Sequence, residues 1–104
     1  MKKFKIRYSE EFANHLEIVL NNLTEKSPKA ANKLRDDIKK KLLNLKSYPR
    51  LGNKISSPVE RLNKYRKIIL IYDYLIFYYL DEVNESVYVL DIFHGKQDYR
   101  HLLS

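Results

Sequence analysis

The 104-residue chain contains no cysteine, which excludes disulfides and thiolate metal sites and suits a cytosolic protein. Its three histidines, His15, His94 and His101, show no ligand spacing and are joined by no paired acids, so no metal or cofactor is expected. No apolar run reaches the length of a bilayer span. The basic opening MKKFKIRYSEEF lacks the apolar core and the small-residue cleavage site of a secretory signal. No internal repeat or low-complexity segment interrupts the chain. These absences leave a soluble, cytoplasmic protein with one domain over residues 1–104, of a size that buries a modest single core without staples.

Acidic residues are the other shortage, and they are scarce in one place. Residues 1–25 hold four basic and four acidic side chains, residues 26–67 fourteen and three, and residues 68–104 two and six. The middle is therefore +11 and the final third −4. A basic middle of this kind attracts phosphates through counterion release, or an acidic protein partner. Its ordinary alternative is a solvated, lysine-rich helix face.

What the chain does contain is periodic. Phe4, Ile6 and Tyr8 alternate with Lys3, Lys5 and Arg7, the period of a half-buried strand. Ser9 followed by Glu10 and Glu11 predicts a helix start, with Phe12, Leu16, Val19, Leu20 and Leu23 on one face. Ser27-Pro28 restarts a second helix, proline being tolerated at the first helical position. Ala31, Leu34, Ile38, Leu42 and Leu45 form its apolar stripe, and it should stop near Tyr48-Pro49 with Gly52 in the turn beyond. The connection is so short that the two helices must form an antiparallel hairpin. Residues 53–59 are polar with Pro58 and read as a loop. Residues 66–71, 74–80 and 87–94 then read as three strands of an antiparallel meander, with turns at Tyr72-Asp73 and across 81–86. With the N-terminal strand added, a four-stranded sheet is covered on one face by the hairpin, an α+β fold in two layers.

The candidate site residues cluster late in the chain. In FHGKQDYRHLL, residues 93–103, Gly95 can end a strand through a positive φ, Asp98 can cap a last turn, and Leu102 and Leu103 can tuck onto the core. His94, on a regular strand, shares a face with Tyr88, Leu90 and Ile92, where an imidazole serves either as a general acid or base or as a hydrogen-bonded, partly buried side chain. Tyr65-Arg66-Lys67 opens a strand from the basic region. It offers an arginine for bidentate phosphate contact and a lysine for point charge, although polar residues opening a strand are ordinary. Tyr72, Tyr74, Tyr78, Tyr79 and Tyr88 carry faces that stack on bases, but cross-strand packing is the commoner use of such residues.

The order strand, helical hairpin, loop, meander resembles the RelE/ParE toxins of bacterial type II toxin–antitoxin systems. The residues that carry the resemblance are YPRLG after the hairpin, YRKIILIYDYLIFYYLDE through two strands, and VYVLDIFHGKQDYRHLL at the end. It implies a small basic toxin held inactive by a partly disordered acidic antitoxin. Lys39, Lys40, Arg61, Lys64 and Lys67 are the cations that such a partner, or a nucleic acid, would meet. Two mechanisms are implied. RelE-like members are ribosome-dependent, metal-independent mRNA endonucleases, whereas ParE-like members poison DNA gyrase. For the first, Arg66 stands at the first lysine of a K-x-K pair whose second member is here Ile68, and Leu75 stands where an arginine is expected. His94, Lys96 and Tyr99 would complete the catalytic set with Arg66. For the second, an aromatic-IFY strand, the H-x-x-x-D from His94 to Asp98 and the pair His101-Leu102 match, and the acidic final third suits RNA poorly. Gyrase is the favoured target and mRNA the alternative; a non-toxic nucleic-acid-binding module is the reading from another class.

Overall fold

The computed structural model describes residues 3–55 and 64–96. In chain order the elements are β1 (Lys5–Tyr8), α1 (Glu10–Lys26), α2 (Pro28–Ser47), β2 (Asn53–Lys54), β3 (Arg66–Ile69), β4 (Tyr74–Asp81) and β5 (Ser86–His94). The expected cap is present: Ser9 Oγ accepts the Phe12 N–H at 2.9 Å, and its hydroxyl donates to the Leu90 carbonyl, tying the helix start to the sheet. Ser27 serves both helices. Its N–H closes α1 onto the Leu23 carbonyl, and its hydroxyl accepts from Ala30 N–H to open α2. One residue therefore does the work of a loop, which forces the antiparallel hairpin.

Among the described residues the sheet has five strands in the order β1-β5-β4-β3-β2, one more than the four expected. Asn53 and Lys54 do not lie in a loop but pair antiparallel with Lys67 and Arg66. Two polar residues give no alternation to detect, so only the pairing reveals them. β1 runs parallel to β5, while β3, β4 and β5 form the expected meander. β3 ends at Ile69, and Ile71–Asp73 make the turn into β4.

That turn is of the mirror-image type used by tight hairpins, because Tyr72 and Asp73 have φ of 60° and 62°. The Tyr74 N–H closes it onto the Ile71 carbonyl. A bulky aromatic pays steric strain in the left-handed region, where asparagine is accommodated. Tyr72→Asn is therefore expected to stabilise the fold by about 1 kcal/mol, read as a higher denaturation midpoint with unchanged slope. A midpoint that falls would show that the Tyr72 ring contributes more by packing than its backbone loses.

The two faces of the sheet have separate cores. Tyr74, Ile76, Tyr78 and Leu80 alternate onto the helical side, where they meet Phe12, Leu34, Ile38 and Leu45 together with Val87, Val89 and Ile92. Leu16, Val19, Leu20, Leu23 and Leu42 pack around this cluster half-buried, as their helical spacing requires. Leu75, Phe77 and Phe93 alternate onto the other face and form a second cluster with Ile55 and Tyr65.

An irregularity in β5 changes which residues share these faces. Phe77 pairs with Asp91 and Tyr78 with Val89, so Leu90 is an extra residue and the alternation reverses across it. His94 consequently does not share a face with Tyr88: it pairs with Tyr74 on the helical side, whereas Tyr88 pairs with Tyr79 on the other.

Candidate functional site

Arg66 enters the sheet at the start of β3 and is half-buried. Its guanidinium is engaged with backbone: Nη1 donates to the Gly52 carbonyl at 2.8 Å and to the Arg50 carbonyl at 3.2 Å. Beside it Tyr78, fully buried, donates its hydroxyl to the Pro49 carbonyl at 3.0 Å and accepts the Gly52 N–H at 2.7 Å. Burial pushes the Tyr78 hydroxyl pKa up, opposed by the Gly52 N–H and the Arg66 charge. The neutral phenol therefore persists as a donor well above neutral pH. The segment YPRLG is thus a backbone loop held by two side chains from the sheet, and Arg50 itself is ion-paired with Glu82.

His94 ends β5 at the opposite end of the meander. Its ring stands edge-on to Tyr74, with centroids 5.1 Å apart at 86°, and Nδ1 accepts the Lys96 N–H at 3.2 Å. Along β4, Arg66 is registered with Tyr78 and His94 with Tyr74. Four residues of strand rise and two strand spacings put their Cα atoms about 16 Å apart. The structure brings His94 and Lys96 together and leaves Arg66 outside their hydrogen-bonding reach. Tyr99 and Arg61 lie outside the described residues, as do Asp98, His101, Leu102 and Leu103.

The remaining candidates divide by location. Lys39 and Lys40 are exposed on α2. Lys64 lies over the Tyr65 and Tyr79 rings, its Nζ 5.3 and 5.5 Å from their centroids. Lys67, half-buried, is registered with Phe77 on the sheet face away from the helices. Leu75, where the resemblance to RelE-like members leads one to expect an arginine, is buried with Phe77 and Phe93. Gly95 has no positive φ, contrary to the sequence expectation. It is needed for close approach: its N–H donates to the Asp73 carbonyl at 2.6 Å, and a Cβ would stand 3.0 Å from that oxygen.

Two polar ties escaped sequence reasoning. His15 Nδ1 and Asp91 Oδ1 are 2.6 Å apart, joining α1 to β5. Asp37 accepts the Ile71 N–H and pairs with Lys41, which in turn donates to the Ile69 carbonyl. The four-residue spacing of Asp37 and Lys41 was visible, but their hold on the β3–β4 hairpin was not. Among the described residues no group of three His, Asp or Glu side chains is placed to hold a metal ion, and no helix is long and apolar enough to cross a membrane.

A groove of about 620 Å³ runs along the helical hairpin beside β1, an edge strand among the described residues. Tyr8, Phe12, Leu16, Leu20 and Leu42 supply its apolar lining, with Arg35 and Lys39 as two cations and Glu17 as one anion.

The fold has solved counterparts. The chromosomal ParDE system from P. aeruginosa superposes with a TM-score of 0.71 at 16% identity, covering 90% of this chain and 98% of that one. A double mutant of E. coli toxin RelE in the free state gives 0.68 at 18% identity, covering 96% and 92%. The intact E. coli RelBE toxin–antitoxin complex gives 0.60 at 16% identity, covering 90% and 99%. No curated protein matches the sequence. At these identities the superpositions establish the fold and do not choose between the two kinds of toxin. The sequence itself is matched by the family model for the ParE toxin of the type II toxin–antitoxin system parDE over residues 6–99, and the chain therefore belongs to that toxin family.

Proposed function

We propose that this toxin arrests growth by acting on DNA gyrase rather than by cutting mRNA, and that an acidic antitoxin holds it inactive. The observation that carries the choice of target is the separation of Arg66 from His94. RNA cleavage without a metal requires cations and an acid–base group converging on one phosphate within about 3 Å of their partners. Here Arg66 is engaged with two carbonyls, the Leu75 position offers only a buried alkyl group, and His94 meets Lys96 through the Lys96 backbone N–H.

The groove beside β1 supports the antitoxin reading, since an amphipathic, acidic segment would cover its apolar lining and meet Arg35 and Lys39. Regulated expression in bacteria, alone and with the neighbouring small gene, tests the proposal. Growth arrest relieved by the neighbour, with DNA breaks that require gyrase, is the expected result. Codon-specific mRNA breaks abolished by His94→Ala would replace it with the endonuclease reading. Absence of arrest would leave a nucleic-acid-binding module.

A further inference from the structure

The tip of the β3–β4 hairpin departs from the rules that the rest of the fold keeps. Tyr72 and Asp73 both lie in the left-handed region, with φ of 60° and 62°, in a turn that glycine, asparagine and aspartate fill with little strain. Tyr72 is an aromatic residue there, and it is exposed. Ile69, Ile71 and Tyr72 keep 59%, 36% and 45% of their surface, whereas Leu70 among them keeps 3% and belongs to the helical-side core. Large apolar side chains therefore stand out from a run of consecutive residues, anchored by the one that turns in.

Packing of the domain does not account for this tip. Apolar groups left in water contribute little to folding, and the strained backbone subtracts from it. Yet the tip is held from three sides. Asp37 of α2 accepts the Ile71 N–H at 2.9 Å, Lys41 donates to the Ile69 carbonyl at 3.0 Å, and the Gly95 N–H beyond β5 closes onto the Asp73 carbonyl. Across the base of the turn the Leu70 N–H donates to the Tyr74 carbonyl at 2.8 Å. Backbone fixed in this way loses little further freedom when a partner binds. A tyrosine held rigid among aliphatic neighbours is the composition of an interface anchor, a side chain that fills a pocket on another protein.

We propose that Ile69, Ile71 and Tyr72 form the anchor by which this toxin docks on its target, seated in an apolar pocket of a protein with a cation at the pocket rim to meet Asp73. The inference rests on the reading that growth arrest works through a protein target. The chemistry of the tip favours protein over nucleic acid. Lys41, the α2 cation that reaches the tip, is engaged with the Ile69 carbonyl and with Asp37 at 3.4 Å. A phosphate backbone would meet the Asp73 carboxylate and leave both isoleucines unmatched. The groove along the helical hairpin includes none of these residues in its lining, so binding of an antitoxin there and docking through the tip are separable by substitution.

DNA breakage by purified gyrase, titrated with the full chain and its variants, tests the proposal beside growth arrest on induction. Tyr72→Asn, which relieves the strain, should raise the denaturation midpoint yet require about 10-fold more protein for half-maximal breakage. Ile69→Thr, which keeps a β-branched residue in β3, should weaken the effect in the same direction. Val83→Ser, in the exposed β4–β5 turn at the other end of β4, should act as the wild type does, and all of these variants should still be neutralised by the neighbouring gene's product. Breakage by folded Tyr72→Asn protein within about 2-fold of wild type overturns the anchor, as does an equal loss in Val83→Ser. Should Tyr72→Asn fold poorly, Ile69→Thr decides on the same criterion. Wild-type protein without effect on gyrase overturns the gyrase reading instead. Growth arrest then decides: its loss in a folded Tyr72→Asn protein supports the anchor, and its persistence overturns it. A wild-type chain that arrests nothing overturns both.

Discussion

Replacing Gly52 with alanine is expected to destabilise the protein by about 3 kcal/mol, a large share of the roughly 5–15 kcal/mol by which a small domain is stable. A Cβ at this position would stand 2.6 Å from the Tyr78 hydroxyl oxygen, 2.7 Å from Tyr78 Cε1 and 2.8 Å from the Lys67 carbonyl oxygen. One of these atoms is backbone in the sheet and the others belong to a fully buried ring, so neither neighbour yields cheaply. Relief requires the 49–52 loop to move out, which lengthens the Gly52 N–H bond to Tyr78 and the Arg66 bond to the Gly52 carbonyl. The overlap contributes about 2 kcal/mol and the damaged bonds about 1. Thermal unfolding should shift down by about 15 °C. A loss under about 1 kcal/mol would mean that the loop adapts freely and that its bonds to Tyr78 and Arg66 hold little.

Arg66→Ala is expected to cost about 2 kcal/mol of stability. The guanidinium makes charge-assisted bonds to two carbonyls of one loop, and its removal leaves the Gly52 carbonyl, at a buried residue, without that donor. Arg66→Lys should recover only part of the loss, because the ammonium sits on a shorter stem and is more strongly hydrated than the guanidinium, whose Nη1 alone donates to both carbonyls. The Tyr78 pKa, already raised by burial, should rise further once the neighbouring cation is gone. Chemical denaturation of the variant beside a toxicity measurement separates the two roles of this residue. Loss of toxicity in proportion to loss of folded protein fits a loop clamp, whereas full stability with lost toxicity would return Arg66 to a chemical role.

These two variants also show why the site was less legible than the fold. Phe12, Leu34, Ile38 and Leu45 announce themselves by helical spacing, and the alternation in 74–80 announces a strand with two occupied faces, because burial imposes the period of each element on its residues. Ser9, Ser27 and Pro28 mark the helix ends by local bonding chemistry that needs no tertiary partner. By contrast, Arg66 read alone is a cation at a strand start, and nothing in YRK distinguishes a phosphate contact from a bond to the Gly52 carbonyl. Gly95 in its sequence context suggests a left-handed stop; the actual constraint, the nearness of the Asp73 carbonyl, comes from a residue twenty-two positions away. The extra residue at Leu90 likewise leaves no mark in a run of β-formers, yet it moves His94 to the face opposite Tyr88.

The sequence by itself determined the α+β class, the helical hairpin and the meander, because each follows from periodicity, caps and the order of segments along the chain, and its match to the family model gave the family. Only the tertiary structure decided which side chains meet. Strand register placed Arg66 and His94 at opposite ends of the sheet, and the irregularity at Leu90 chose the face of each later residue. Side-chain contacts between strands depend on register and twist, which a one-residue shift reverses while the hydrophobic pattern of each strand stays the same.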